Sequence, residues 1–171
     1  MPLLESGKAR VLNVATERTL DITAAYKNIL RSEFLAEHRA LVDVGSPLFD
    51  SQLRKGWYPP ENRSRWMAKS ASVSIAGPRK AAEHLYVTGF AAPASLANGK
   101  VILTARVNGE EVGWTEITGP GRPYTFEFDI PAKFLNAYVI EVALECDKTF
   151  RPPGDSRELG TIIQKIEVRA P

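Results

Sequence analysis

Apolar and polar residues alternate along most of the chain after residue 70, with the period of two that is typical of β-strands. In Val101–Val107 every second residue is apolar, and Asn108-Gly109 then supplies the two-residue turn of a β-hairpin. Six further segments alternate or are mostly apolar, and turns rich in Gly and Pro separate several of them: 70–75, 85–90, 111–117, 124–130, 138–146 and 162–169. The sequence therefore predicts seven strands after residue 70.

The first part of the chain has a different pattern. Segment 21–38 has apolar residues three and four positions apart, which predicts an amphipathic helix with Asp21 as its N-cap. Ahead of it, segment 10–15 is predicted as a short strand or an extended arm. Behind it, we expect a short strand over 41–44 and a short helical turn over 47–53, which begins at a proline.

Short strands with one apolar and one polar face are typical of two antiparallel sheets packed face to face. No alternation of strands with long helices is present, which disfavours a parallel α/β fold. We therefore predict a mainly β protein, a two-sheet antiparallel β-sandwich with an N-terminal amphipathic helix. The predicted organisation is an N-terminal extension over 1–40 and a β-sandwich domain over 41–171.

Charge and composition exclude several classes of protein. The 171 residues include 22 Lys and Arg against 20 Asp and Glu, evenly distributed, so the basic surface of a nucleic-acid-binding protein is missing. No apolar run approaches the roughly 18–20 residues of a membrane helix, and the first residues lack the apolar region of a signal peptide. We expect no nucleic-acid partner, no membrane span, and a location in the cytoplasm or within a larger protein.

Residues typical of catalytic sites are scarce. The two histidines, His38 and His84, belong to no hydrolase or zinc motif, and we expect structural or solvated roles for them. Cys146 lies on the apolar face of a predicted strand, as a core thiol would. We therefore predict no metal, no cofactor and no catalytic residue. A small hydrolase that uses a pair of acidic residues is kept as a third hypothesis.

Aromatic and charged residues are concentrated around two prolines in segment 56–66. Aromatic rings stack on the C–H face of a pyranose, and Arg and Glu bond its hydroxyl groups. Trp57, Tyr58, Glu61 and Arg65 are therefore candidate ligand residues. Trp57 has two interpretations, a stacking platform or a core residue, and the stiffness of the two prolines favours the platform.

The other two tryptophans are interpreted as structural. Trp66 directly precedes a predicted strand and is expected to close the end of the sandwich. Trp114 follows a tight hairpin on the same strand face as Val112, so we expect it to be buried against the adjacent sheet.

Several motifs in order resemble a group of bacterial β-sandwich modules: Val42-Asp43-Val44-Gly45, Gly56-Trp57, Glu61, Arg65-Trp66, the Asn108-Gly109 hairpin and Asp155-Ser156-Arg157-Glu158-Leu159-Gly160. These galactose-binding-like jelly rolls are similar to carbohydrate-binding modules. They occur in or beside proteins of cell-surface polysaccharide biosynthesis, including glycosyltransferases. The resemblance covers 41–169 and implies a jelly-roll fold.

In a jelly roll, the loop before the last strand can approach the segment near residue 60. Asp155 and Arg157 lie in that loop, so we expect an ion pair of Arg65 with Asp155, or of Glu61 with Arg157, to join the two segments. Asp155 and Arg157 thereby become candidate ligand residues too.

The sequence supports two main hypotheses of function. The first is a non-catalytic carbohydrate-binding or accessory module associated with bacterial surface-glycan metabolism. The second is a structural or protein-interaction domain without a sugar ligand. It would dock a glycosyltransferase or a second copy of the chain through the helix predicted over 21–38.

Overall fold

The computed structural model describes residues 3–5, 8–13, 18–21 and 38–171. The chain divides into two compact units, residues 1–37 and 38–171. In the first unit three antiparallel strands form a sheet in chain order: β1 (Leu3–Glu5), β2 (Lys8–Asn13) and β3 (Arg18–Asp21). The strand predicted over 10–15 overlaps β2. The helix predicted over 21–38 lies outside the described residues, apart from its two end positions.

The second unit contains ten strands, which include a counterpart for each of the seven strands predicted after residue 70. Short 3-10 turns occupy Pro47–Gln52, Pro93–Leu96 and Ala132–Phe134. The strands are β4 (Leu41–Asp43), β5 (Trp57–Glu61), β6 (Ser64–Met67), β7 (Ser70–Ile75), β8 (His84–Phe90), β9 (Val101–Val107), β10 (Glu110–Ile117), β11 (Pro123–Phe128), β12 (Ile140–Cys146) and β13 (Ile162–Arg169).

These strands form two antiparallel sheets. The four-stranded sheet has the order β10-β9-β12-β7. The six-stranded sheet has the order β11-β8-β13-β6-β5, with β4 paired to β13. The predicted two-sheet antiparallel β-sandwich is therefore confirmed.

The core lies between the sheets and follows directly from the alternation in the sequence. Along β9 the buried residues are Val101, Leu103, Ala105 and Val107, and the residues between them are half-buried. Each fully buried Val or Leu stabilises the fold by roughly 1.5–3 kcal/mol relative to an exposed one. Cys146 ends β12 inside this core, as predicted, and burial raises the pKa of its thiol to about 12.

One predicted hairpin is confirmed and another was missed. Asn108 and Gly109 connect β9 to β10 with positive φ at both residues, as a type I′ turn requires. Segment 56–66, for which no strand was predicted, is largely a hairpin of β5 and β6. Asn62 and Arg63 form its turn, with φ of 49° and 60°. The prolines are compatible with β5 because it is the outer strand of its sheet.

No helix among the described residues is long and apolar enough to cross a membrane.

Candidate functional site

The hairpin β5–β6 lies at one edge of the six-stranded sheet and carries Tyr58, Glu61 and Arg65. Its turn packs directly on the backbone at Gly45. A Cβ atom at Gly45 would lie 2.1 Å from the carbonyl carbon of Arg63, so only glycine permits this approach. The Gly45 of the sequence motif therefore fixes the position of the hairpin.

The loop before β13 lies against the same hairpin. Its base is closed by two backbone hydrogen bonds between Phe150 and Leu159, of 2.9 and 2.8 Å. Gly160 N–H then donates to the carbonyl of Met67 in β6 at 2.8 Å. Residues 151–158 are thereby held beside Tyr58 and Glu61.

Arg157 joins the loop to the hairpin. Its Nη1 donates to Glu61 Oε1 at 2.8 Å, which confirms the predicted pair of Glu61 and Arg157. Its Nε and Nη2 donate to the carboxylate of Asp155, with the shortest distance 2.7 Å from Nη2 to Oδ2. The guanidinium therefore bridges two carboxylates that are far apart in sequence.

Tyr58 lies over this bridge. The guanidinium carbon of Arg157 is 5.4 Å from the centre of the Tyr58 ring, within the range of a cation–π contact. The Tyr58 hydroxyl donates to the carbonyl of Glu158 at 3.0 Å. We call the half-buried or exposed group of Tyr58, Glu61, Asp155 and Arg157 the Tyr58–Arg157 surface.

The predicted pair of Arg65 with Asp155 is wrong. Arg65 is buried, and its Nη2 donates to Asp50 Oδ1 at 2.6 Å. Its Nε and Nη1 donate to the carbonyls of Val44 and Tyr58 at 2.5 and 3.2 Å. Because β6 turns this side chain towards residues 44–50, it supports the hairpin from below.

Trp57 packs against the hydrophobic core and is half-buried. Its indole N–H donates to the carbonyl of Ser72 in β7 at 2.8 Å. These contacts give Trp57 a structural role. Its role as a ligand residue stays a prediction.

The other two tryptophans differ in their exposure. Trp66 is half-buried in β6 beside the ring of Phe150. Trp114 has 59% of its surface exposed, so the expectation that it is buried is wrong. The reason is its position: β10 is the outer strand of the four-stranded sheet, with no neighbouring strand on its other side to cover the ring.

The charges of the Tyr58–Arg157 surface stabilise one another. The hydrogen bonds from Arg157 hold the pKa of Asp155 below its usual range. The same bonds, from Asp155 first and Glu61 second, raise the pKa of Arg157. Asp155 therefore stays an ionised hydrogen-bond acceptor, whereas a general acid requires a raised pKa.

Three further residues of the site were missed by the sequence analysis. Asp50 binds Arg65, and Arg151 Nη2 donates to Glu158 Oε1 at 3.2 Å within the loop. Arg151 and Glu158 flank the Asp155–Arg157 motif, so their opposite charges could have indicated an ion pair from the sequence alone. No comparable signal marks Asp50.

Among the described residues, no group of three or more His, Cys, Asp or Glu side chains is placed so that it could hold a metal ion. His84 Nδ1 lies 2.9 Å from Asp129 Oδ1 in a partly exposed pair, and the structural or solvated role expected for it stays a prediction.

No protein-family model and no curated protein sequence matches the chain. Among solved structures, a family 35 carbohydrate-binding module from an environmental isolate is 17% identical to this chain, with a TM-score of 0.41. The match covers 70% of this chain and 76% of that module. The carbohydrate-binding module CBM36, in complex with calcium and xylotriose, is 16% identical to this chain, with a TM-score of 0.37. That match covers 58% of this chain and 72% of CBM36. The family GH115 4-O-methyl-α-glucuronidase BtGH115A, with specificity for decorated arabinogalactans, is 10% identical with a TM-score of 0.47 and covers 70% of this chain. This chain spans only 16% of that enzyme.

Proposed function

We propose that the chain is a non-catalytic carbohydrate-binding or accessory module of bacterial surface-glycan metabolism. Its ligand surface would be the Tyr58–Arg157 surface, with Trp57 beside it and Arg65 beneath. The second hypothesis, a protein-interaction domain without a sugar ligand, has a glycosyltransferase or a second copy of the chain as its partner.

The observation that carries this proposal is the bridge from Glu61 through Arg157 to Asp155 under the ring of Tyr58. It joins an aromatic ring to two carboxylates in a fixed arrangement. Carboxylate oxygens accept hydrogen bonds from sugar hydroxyl groups, and an aromatic plane packs against the C–H face of a pyranose. Because the ion pairs already order these side chains, binding would cost little further conformational entropy.

A recognition role fits the electrostatics better than hydrolysis does. Arg157 binds both nearby carboxylates, and the pKa of Asp155 is lowered. With its lowered pKa, Asp155 accepts hydrogen bonds from a ligand but does not donate a proton at neutral pH. A site of one ring and a few hydrogen bonds gives modest affinity, in about the millimolar to micromolar range.

The test is a glycan array of bacterial surface and plant cell-wall oligosaccharides, followed by titration calorimetry with any sugar that binds. Tyr58→Ala should lower the affinity by about tenfold or more, by analogy with the stacking of bases on aromatic rings. Tyr58→Phe is the matched control. It keeps the ring and removes only the hydroxyl that donates to Glu158, so it should bind close to wild type.

Two results would count against the proposal. One is a folded wild-type protein that binds no sugar across the panel. The other is a sugar whose affinity is unchanged in both Tyr58→Ala and Glu61→Ala.

A further inference from the structure

A groove runs along the side of the sandwich where the two sheets are not paired with each other. β10 is the outer strand of the four-stranded sheet, and β11 is the outer strand of the six-stranded sheet. Between them lie two adjoining open cavities of about 410 and 170 Å³, and Phe126 lines both. The groove follows β10 from Val112 to Ile117, a distance of about 17 Å at the rise of an antiparallel strand.

We call this the Trp114 groove, after its most exposed aromatic residue. Trp114 lines the larger cavity with 59% of its surface exposed. Within the described part of the chain its indole N–H has no hydrogen-bond partner and its ring has no aromatic partner. Both the ring and a polar N–H are therefore available to a ligand, a combination that is frequent at binding surfaces.

The shape of β10 disfavours a protein strand as the occupant of the groove. Its register with β9 shifts between Glu111 and Gly113, which marks a β-bulge. Gly113 has a φ of 154°, and a Cβ atom there would lie 3.0 Å from Phe128 Cδ1. A bulged edge pairs poorly with an added strand, so a peptide or a second copy is not favoured here.

The polar lining of the groove is rich in carboxylates. Glu116, Glu127 and Asp129 line it, and Arg122 lies at the smaller cavity. Glu116 pairs with Lys100, while Glu127 and Asp129 both lie within 3.4 Å of His84. This lining offers hydrogen-bond acceptors and would repel a polyanion, so it suits an uncharged ligand rich in hydroxyl groups.

We propose that the Trp114 groove binds a neutral linear oligosaccharide, with one pyranose ring stacked on Trp114 and neighbouring units bonded to the carboxylates. The length of the groove favours a chain of several units over a single sugar. This inference rests on the proposed function for the class of ligand, but it involves none of the residues of the Tyr58–Arg157 surface. β5 and β11 are opposite outer strands of one sheet, so the two surfaces are separate.

The test uses the full chain labelled with 5-fluorotryptophan, whose three tryptophans give three fluorine NMR signals. The Trp114 signal is assigned from Trp114→Phe. Cellohexaose and xylohexaose are titrated into wild type, Trp114→Ala and Tyr58→Ala. We expect the Trp114 signal to shift with sugar in wild type and in Tyr58→Ala. Trp114→Ala should weaken hexasaccharide affinity by about tenfold while melting like wild type, because the ring is exposed.

Each alternative result separates the two sites. If Trp114→Ala binds like wild type while Tyr58→Ala loses binding, the groove inference fails and the proposed function stands. If Trp114 responds to the hexasaccharides while every sugar from the array binds Tyr58→Ala and Glu61→Ala like wild type, the groove inference stands and the Tyr58–Arg157 surface fails. A dimer in light scattering that Trp114→Ala abolishes would overturn the inference, since a second copy would then occupy the groove. A wild-type protein that binds neither hexasaccharide would overturn it as well.

Discussion

The rings of Trp66 and Phe150 meet edge to face, with centroids 5.5 Å apart and an interplanar angle of 63°. Trp66 lies in β6 and Phe150 at the base of the loop that carries Asp155 and Arg157. This aromatic pair therefore holds the loop against the hairpin beneath the Tyr58–Arg157 surface.

A double-mutant cycle of Trp66→Leu and Phe150→Leu should give a coupling of about 0.5–1.5 kcal/mol in the free energy of unfolding. The two single variants should each destabilise the protein, and the double variant should cost less than their sum. Urea unfolding measures all four proteins. Strict additivity would show that the pair does not fix the loop.

Arg65 should be far more important for stability than Arg151. Arg65 is buried and donates to Asp50 and to two backbone carbonyls, whereas Arg151 forms an exposed pair with Glu158. Arg65→Met should lower the free energy of unfolding by about 2–4 kcal/mol, because it leaves the buried carbonyl of Val44 and the partly buried carbonyl of Tyr58 without a donor.

Arg151→Met is the matched control and should stay within about 1 kcal/mol of wild type. Arg65→Lys should recover little of the lost stability, because the single ammonium group of lysine cannot donate to all three acceptors that the guanidinium reaches. Equal effects of the Arg65 and Arg151 variants would contradict the support role of Arg65.

Trp57 should contribute to stability through both its ring and its N–H. Trp57→Phe removes the hydrogen bond to Ser72 and should cost about 1 kcal/mol. Trp57→Ala also removes packing on the core and should cost about 3 kcal/mol. The exposed Trp114→Ala serves as the comparison and should change stability by about 0.5 kcal/mol or less. A Trp57→Ala protein as stable as Trp114→Ala would overturn the structural role.

Glu167 should make the fold sensitive to acid. Burial alone would raise the pKa of Glu167, but the hydrogen bonds from Lys165 and Arg169 outweigh burial and lower it. A carboxyl whose pKa is lower in the folded state stabilises the fold above its unfolded pKa of about 4.3. That stabilisation is lost as the pH falls through the lower folded value.

Urea unfolding of wild type and Glu167→Gln between neutral and strongly acid pH checks this expectation. The glutamine variant should be less stable than wild type at neutral pH, and the difference should shrink as the pH falls below about 4. A difference that grows on acidification would mean that burial prevails and that the pKa of Glu167 is raised.

Alternation of apolar residues, or a mostly apolar run in segment 85–90, was sufficient to predict the strands after residue 70, because these apolar residues form the core. The β5–β6 hairpin was missed because prolines at 59 and 60 argue against a strand, and only its outer position in the sheet makes them acceptable. The exposure of Trp114 was missed for a related reason. Periodicity assigns a residue to a face of a strand but does not reveal that the strand is at the edge of its sheet.

The ion pairs of the site were predicted only in part. The resemblance to jelly rolls predicted that the segment near residue 60 and the loop before the last strand lie close together, and the predicted pair of Glu61 with Arg157 is confirmed. The resemblance could not predict the direction of each side chain. Successive residues of β6 face opposite sides of the six-stranded sheet, and the side chain of Arg65 points towards Asp50.

If sugar binds at the Tyr58–Arg157 surface, the backbone amides around it must respond, and amide NMR of the isotope-labelled wild-type protein measures that response. A sugar that binds on the array is titrated into the protein, and the shift of each backbone amide is mapped on the structure. We expect residues 57–66 and 150–160 to form one contiguous region of shifted amides, with shifts that saturate as sugar is added. Saturable binding that leaves both segments unshifted would contradict binding at this surface.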